Sequence, residues 1–94
     1  MILRIVRMSF SPDKIQDFIK IFNESKSAIE ASEGCLNVNL YVDQEHSNVY
    51  YTKSKWISPE ALEKYRQSDL FKSTWARTKV LFNESAQAHS LVLV

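Results

Sequence analysis

One glycine and two prolines serve a chain of 94 residues, and that scarcity constrains the fold more than any other feature. Linkers and open loops draw on Gly and Pro for their changes of direction. The chain has almost no such material, so a single domain over residues 1–94 is expected. The three residues instead mark the edges of regular elements. Ser11-Pro12-Asp13 has the order of an N-cap, a first helical residue and an acidic first turn. Ser58-Pro59-Glu60 repeats that order. Gly34 stands where a left-handed residue would terminate a helix.

The segments between these marks carry clear periodicities. Residues 2–10 are mostly apolar and β-prone, the pattern of a first strand. Ile15, Phe18, Ile19, Phe22 and Ile29 recur at helical spacing, and that helix is expected to stop near Glu33-Gly34. "CLNVNLYVD" alternates: Leu36, Val38, Leu40 and Val42 point one way, and Cys35, Asn37, Asn39 and Tyr41 the other. "QEHSN" is a polar turn, and "VYYTKSKW" is a third strand ending at Trp56. Ala61, Leu62 and Tyr65 form the inner face of a short helix. Ser68-Asp69 caps another, on which Phe71, Trp75, Thr78 and Phe82 make a stripe. "AHSLVLV" is a last strand. The order β-α-β-β-α-β predicts an α+β, ferredoxin-like antiparallel sheet with its helices on one face.

Strand one is apolar on both sides, with Ile2, Val6, Met8 and Phe10 facing one way and Leu3 and Ile5 the other. Leu91, Val92, Leu93 and Val94 stand in a row in the last strand. Such strands call for cover on both faces. A domain this small buries only roughly 60–65% of its unfolded-chain surface and has no second helical layer to give. A second copy of the sheet supplies that cover, so a homodimer is expected.

Twelve Lys and Arg are scattered among eleven acids, for a net charge of +1. Neither a nucleic-acid footprint nor a polybasic membrane patch is present. The apolar stretches fall far short of the roughly 18 residues a membrane span needs. Arg4 and Arg7 interrupt the apolar start "MILRIVRMSF", which lacks the core of a signal peptide. Cys35 is alone, so no internal disulfide can form. These features point to the cytoplasm, with neither nucleic acid nor membrane as partner.

"EGCLNVNLYVD" followed by "KWISPEALEKYRQSDLF" resembles the antibiotic biosynthesis monooxygenase (ABM) domain family, at Gly34, Cys35, Asp43, Trp56, Ala61, Leu62, Ser68 and Phe71. The resemblance implies a dimeric α+β barrel with a substrate cavity between sheet and helices. It also implies a range of chemistries. Some members oxygenate polycyclic phenols without metal or flavin, others degrade haem, and many have no known activity. Two histidines common in the family, nine and fourteen residues after the Trp, are Tyr65 and Leu70 here. An acidic residue common two before the Trp is Ser54. The haem-degrading branch would place its iron-binding His near Arg77 and its strand-one Asn near Val6, so haem degradation is not expected and no cofactor is assigned.

Each candidate residue carries a structural reading beside the functional one. Trp56 is either a pocket wall that stacks on a flat ligand or a plug at the edge of a small core. The Tyr65 hydroxyl either orients a phenolic substrate and relays a proton or is the wet tip of a core tyrosine. Asn37 and Asn39 either donate hydrogen bonds to a ligand or line a wet dimer interface. His89 either serves as a base or makes one structural hydrogen bond. Arg4 and Arg7 differ in facing, so they cannot both enter one cavity; one of them either holds an anionic substrate or makes a structural pair, as across a dimer. Trp75 is most simply core, Cys35 a buried and inert thiol, and no metal-ligand spacing exists.

The expected function is therefore a homodimer binding a small aromatic molecule, quinone or polyphenol-like, with cofactor-independent oxygenation as its chemistry. In that case Tyr65 and His89 are catalytic, and Trp56, Asn37 and Asn39 hold the substrate. The alternative is a non-catalytic binding or stress-related dimer on the same scaffold. An RNA-recognition module shares this element order but needs a Gly-interleaved aromatic strand three, and "VYYTKSKW" has no Gly.

Overall fold

The computed structural model describes residues 1–94. In chain order the elements are β1 (Ile2–Ser9), a 3-10 turn (Pro12–Lys14), α1 (Ile15–Glu30), β2 (Cys35–Val42), β3 (Val49–Trp56), α2 (Pro59–Arg66), α3 (Asp69–Lys79) and β4 (Gln87–Leu91). The strands form one antiparallel sheet in the order β2-β3-β1-β4. This is the expected α+β, ferredoxin-like arrangement, with the helices on one face.

The two serine caps of the second helical region form as expected. Ser58 Oγ accepts from the Ala61 N–H and Ser68 Oγ from the Phe71 N–H, both at 3.1 Å. Ser11 differs. It has the extended backbone of an N-cap but no side-chain cap bond, because the chain first makes the 3-10 turn and the α-helix starts at Ile15.

Gly34 has a positive φ of 80°, yet it does not terminate α1. That helix ends at Glu30 with Ala31 as its cap. Gly34 stands three residues later, where α2 approaches the start of β2. A Cβ there would lie 2.5 Å from the Ala61 Cβ, and the Gly34 carbonyl accepts from the Ile57 N–H at 2.8 Å. Both its backbone angle and its surroundings require glycine.

The alternation of β2 is broken once. Cys35 stands opposite Trp56 and Asn37 opposite Lys55, so Leu36 is the extra residue of a bulge and is 49% exposed. The bulge reverses the facing of Cys35, which packs toward the helices with Val38 and Leu40. An extra residue shifts a period-two pattern by one, which corrects the expectation that Cys35 would face with Asn37.

The core lies between sheet and helices. One cluster joins Met8, Phe10 and Val38 to Phe18, Phe22 and Ile29 of α1, and a second joins Ile2 and Trp56 to Leu62 of α2. Full burial of such side chains is worth about 1.5–3 kcal/mol each. The other sheet face has a different make-up. Asn39, Lys53, Ile5 and His89 form one cross-strand row, and Asn37, Lys55, Leu3 and Leu91 the next. No helix covers this face. β4 is shorter than expected, and Val92, Leu93 and Val94 lie exposed beyond it.

Candidate functional site

A cavity of about 360 Å³ opens between the sheet and the three helices. Strand parity decides which sheet residues reach it. Arg4, Val6 and Met8 of β1 line it, with Thr52, Ser54 and Trp56 of β3, Val38 of β2 and Ala88 of β4. The inner faces of α1, α2 and α3 close it with Phe22, Ser25 and Ile29, with Leu62, Tyr65 and Arg66, and with Phe71, Thr74, Trp75 and Thr78.

Its aromatic side is continuous. Trp56 stacks on Tyr65 with centroids 4.9 Å apart and planes 27° from parallel. Tyr65 meets Phe71 edge-on at 5.3 Å, and Phe71 stacks on Trp75 at 6.0 Å and 9°. Trp75 then meets Phe82 at 5.6 Å. Such a surface suits a flat apolar ligand, because each ring offers either a face or an edge to another π-system.

Trp56 settles as both core and wall. It is 0% exposed, and its indole N–H donates to Ser54 Oγ at 2.9 Å. That bond explains Ser54: a buried indole needs an acceptor, and the hydroxyl two residues earlier on the same strand face provides one. Trp56 and Tyr65 touch directly, so they form one wall and leave no slot between them.

Several polar groups in the cavity are already satisfied. Ser25 donates to the Ile21 carbonyl and Thr78 to the Thr74 carbonyl, each at 2.7 Å. No buried side-chain N or O lacks a partner. These hydroxyls therefore need no hydrogen bond from a ligand.

Two groups in the cavity retain chemistry. Burial, with a smaller effect from Cys35, pushes the Tyr65 phenol up to about 12. Tyr65 is thus a neutral hydrogen-bond donor and not a base. Arg4 is half-buried, and its pKa is lowered first by burial and then by the nearby Arg66, with Glu63 acting in the opposite sense. Arg66 pairs with Glu63 at 3.1 Å, whereas Arg4 donates to the neutral Ser90 Oγ at 2.9 Å.

The structure brings Trp56 and Tyr65 together and separates them from the other expected site residues. Asn37, Asn39 and His89 have the opposite strand parity and point to the face away from the helices. His89 is exposed there, beside Ile5, and is not placed to act as a base in the cavity. Arg7 shares that outer face and pairs with Glu84 at 2.8 Å. Trp75 and Arg66 were not expected in the cavity, and of the two strand-one arginines it is Arg4 that enters it. The signal for Trp75 was its place in the stripe with Phe71 and Thr78, all three of which line the cavity. The Cys35 thiol is held above its ordinary value, chiefly by burial and then by Glu30, as suits an inert packing residue.

Haem does not fit this donor set. Its iron takes His, Cys, Met or Tyr ligands, and the cavity has neither His nor Cys. Met8 is 3% exposed within the main core cluster, and Tyr65 is protonated and stacked. Arg77 pairs with Glu24 on the surface at 3.1 Å.

The family model described as "Antibiotic biosynthesis monooxygenase" matches residues 1–77. A solved antibiotic biosynthesis monooxygenase superposes with a TM-score of 0.92 at 17% identity, covering 100% of this chain and 99% of that one. A conserved protein from Methanosarcina mazei Go1 superposes with a TM-score of 0.91 at 18% identity, covering 97% and 91%. A protein of Natronomonas pharaonis named "Putative heme-binding protein" is 30% identical over 63 residues, 67% of this chain. The chain spans only 10% of the length of that relative. The chain belongs to the antibiotic biosynthesis monooxygenase family.

Proposed function

We propose that this member of the antibiotic biosynthesis monooxygenase family binds a small, flat aromatic molecule of the phenol or quinone class in the cavity between sheet and helices. The observation that carries this reading is the aromatic wall from Trp56 through Tyr65 and Phe71 to Trp75, bordering a space of about 360 Å³. A site of that size, mostly apolar with a few convergent polar groups, has the usual make-up of a small-molecule pocket.

The chemistry that goes with this reading is oxygenation without a cofactor. The bound ring supplies the electrons. A phenol reacts as its anion with dioxygen, one oxygen atom stays as a quinone carbonyl, and the other leaves as water. Tyr65 donates a hydrogen bond to the ring oxygen, and the apolar walls position the ring. Neither His nor a carboxylate lines the cavity, which favours a second reading, in which the protein binds such molecules without turning them over.

Oxygen uptake with anthrone, whose methylene group is acidic and easily followed, separates the two. Turnover requires uptake above the protein-free rate with anthraquinone as product, and Tyr65→Phe should lower the rate more than the affinity. Binding with no uptake would leave the second reading.

The functional unit in this proposal is a homodimer formed through the outer sheet face, where Leu3 and Ile5 are flanked by Lys53, Lys55, Asn37 and Asn39. Light scattering should give twice the chain mass, and Ile5→Glu should give one chain mass. A monomeric wild type would refute the dimer.

A further inference from the structure

Arg4 is a cation placed on the cavity side of the central strand without an acid of its own. Its neighbours in the sheet are Ser54 on β3 and Ser90 on β4. Its guanidinium spends one donor on Ser90 Oγ, and none of the chain's four ion pairs includes it. The charges facing it come from α2, where Glu63 is already held by Arg66 and by Gln67. A guanidinium has five N–H donors in a fixed fork. A half-buried one that faces neutral hydroxyls keeps donors free for an anionic partner.

We propose that Arg4, with Arg66 at the rim, makes the cavity selective for the charge of its ligand: the occupant carries an anionic oxygen on its ring system, and Arg4 binds that oxygen. This rests on the aromatic-ligand reading above and adds the charge state to it. It also accounts for the lack of a base in the cavity. A ring that enters as its anion, or sheds its proton to water beside two guanidiniums, needs no histidine. A phenolate and an aryl carboxylate share the required chemistry. Leu62 and Tyr65, which line the cavity with Arg4, would flank the ring that bears it.

The test uses three naphthalene-ring probes on the intact protein, each titrated by calorimetry at neutral pH. They are 2-hydroxy-1,4-naphthoquinone, which is ionised there, its uncharged 2-methoxy ether, and 2-naphthoate. The hydroxyquinone should bind about tenfold or more tightly than the ether. Arg4→Gln should abolish that preference, weakening the hydroxyquinone far more than the ether, and Arg4→Lys should restore part of it. The bound hydroxyquinone should keep the visible colour of its anion to lower pH than the free compound, and Arg4→Gln should remove this shift. Naphthoate binding as tightly as the hydroxyquinone would assign the site to carboxylates, and weaker binding to ring oxyanions. Equal affinity for hydroxyquinone and ether would overturn charge selection and leave the aromatic cavity standing. No binding by any probe would overturn both. Melting curves of the Arg4 variants guard against loss of fold.

Discussion

The two faces of this sheet are made of alternate residues from the same four strands, yet they differ in kind. The inner face lies under three helices. No fully buried side-chain N or O lacks a partner, its indole is fully buried, and its aromatic rings touch in series. The outer face has no helix over it and mixes Leu3 and Ile5 with lysines, asparagines and a histidine. The lesson is one of parity. Residues adjacent in sequence, such as Lys55 and Trp56, belong to environments with nothing in common. A site assembled from a list of suggestive residues must first be sorted by face.

The sharpest way to break this distinction is a pair of truncations. Trp56→Ala removes a fully buried indole that anchors the second core cluster, and a loss of about 3–5 kcal/mol is expected from denaturant melts. Asn39→Ala, on the outer face, should change stability by about 0.5 kcal/mol or less when measured in the monomeric Ile5→Glu chain. Similar losses in the two would erase the contrast. Tyr65 sharpens the comparison through pH. Its folded pKa, about 12, lies above the ordinary phenol value of 10.0, so the folded state holds this proton longer than the unfolded chain does. The contribution is fully present below about pH 10 and is lost as pH rises toward 12. Absorbance of tyrosinate should show one phenol ionising near pH 12, and Tyr65→Phe should remove that step. The smallest effect concerns the corner that carries Trp56 into α2. Ser58→Ala deletes a cap bond of 3.1 Å and should cost about 1 kcal/mol, with Ser58→Asp restoring most of it. A neutral Ser58→Ala would mean that packing alone holds the corner.

Much of this architecture was legible in the sequence, because its signals are local. Ser-Pro-Glu and Ser-Asp mark helix starts, and the spacing of Ile15, Phe18 and Phe22 marks a helix face. The order of elements then leaves one common topology. Three features were not legible, each for a physical reason. The bulge at Leu36 is invisible to a period-two count, since the alternation continues through it, and only pairing with β3 shows that a residue is extra. The role of Gly34 depends on how closely α2 approaches it, which is a tertiary fact. The split of the candidate site arose because Asn37, Asn39 and His89 were chosen by residue type. Their common facing with Ile5 and Lys53 became visible only with the strand register. Trp56 and Tyr65 both border the cavity, but they stack directly on one side of it and do not face each other across it.

The central claim is that the inner face, and not the outer one, holds a small aromatic ligand. Proton–nitrogen correlation spectra recorded during titration with 2-hydroxy-1,4-naphthoquinone test this most directly, because both faces carry their own reporters. The indole N–H signals of Trp56 and Trp75 report on the cavity, and the side-chain amides of Asn37 and Asn39 report on the outer face. Binding in the cavity gives saturable shifts of the two indole signals, with the two amides unmoved. Shifts confined to Asn37 and Asn39, with both indoles unmoved at saturation, would contradict it.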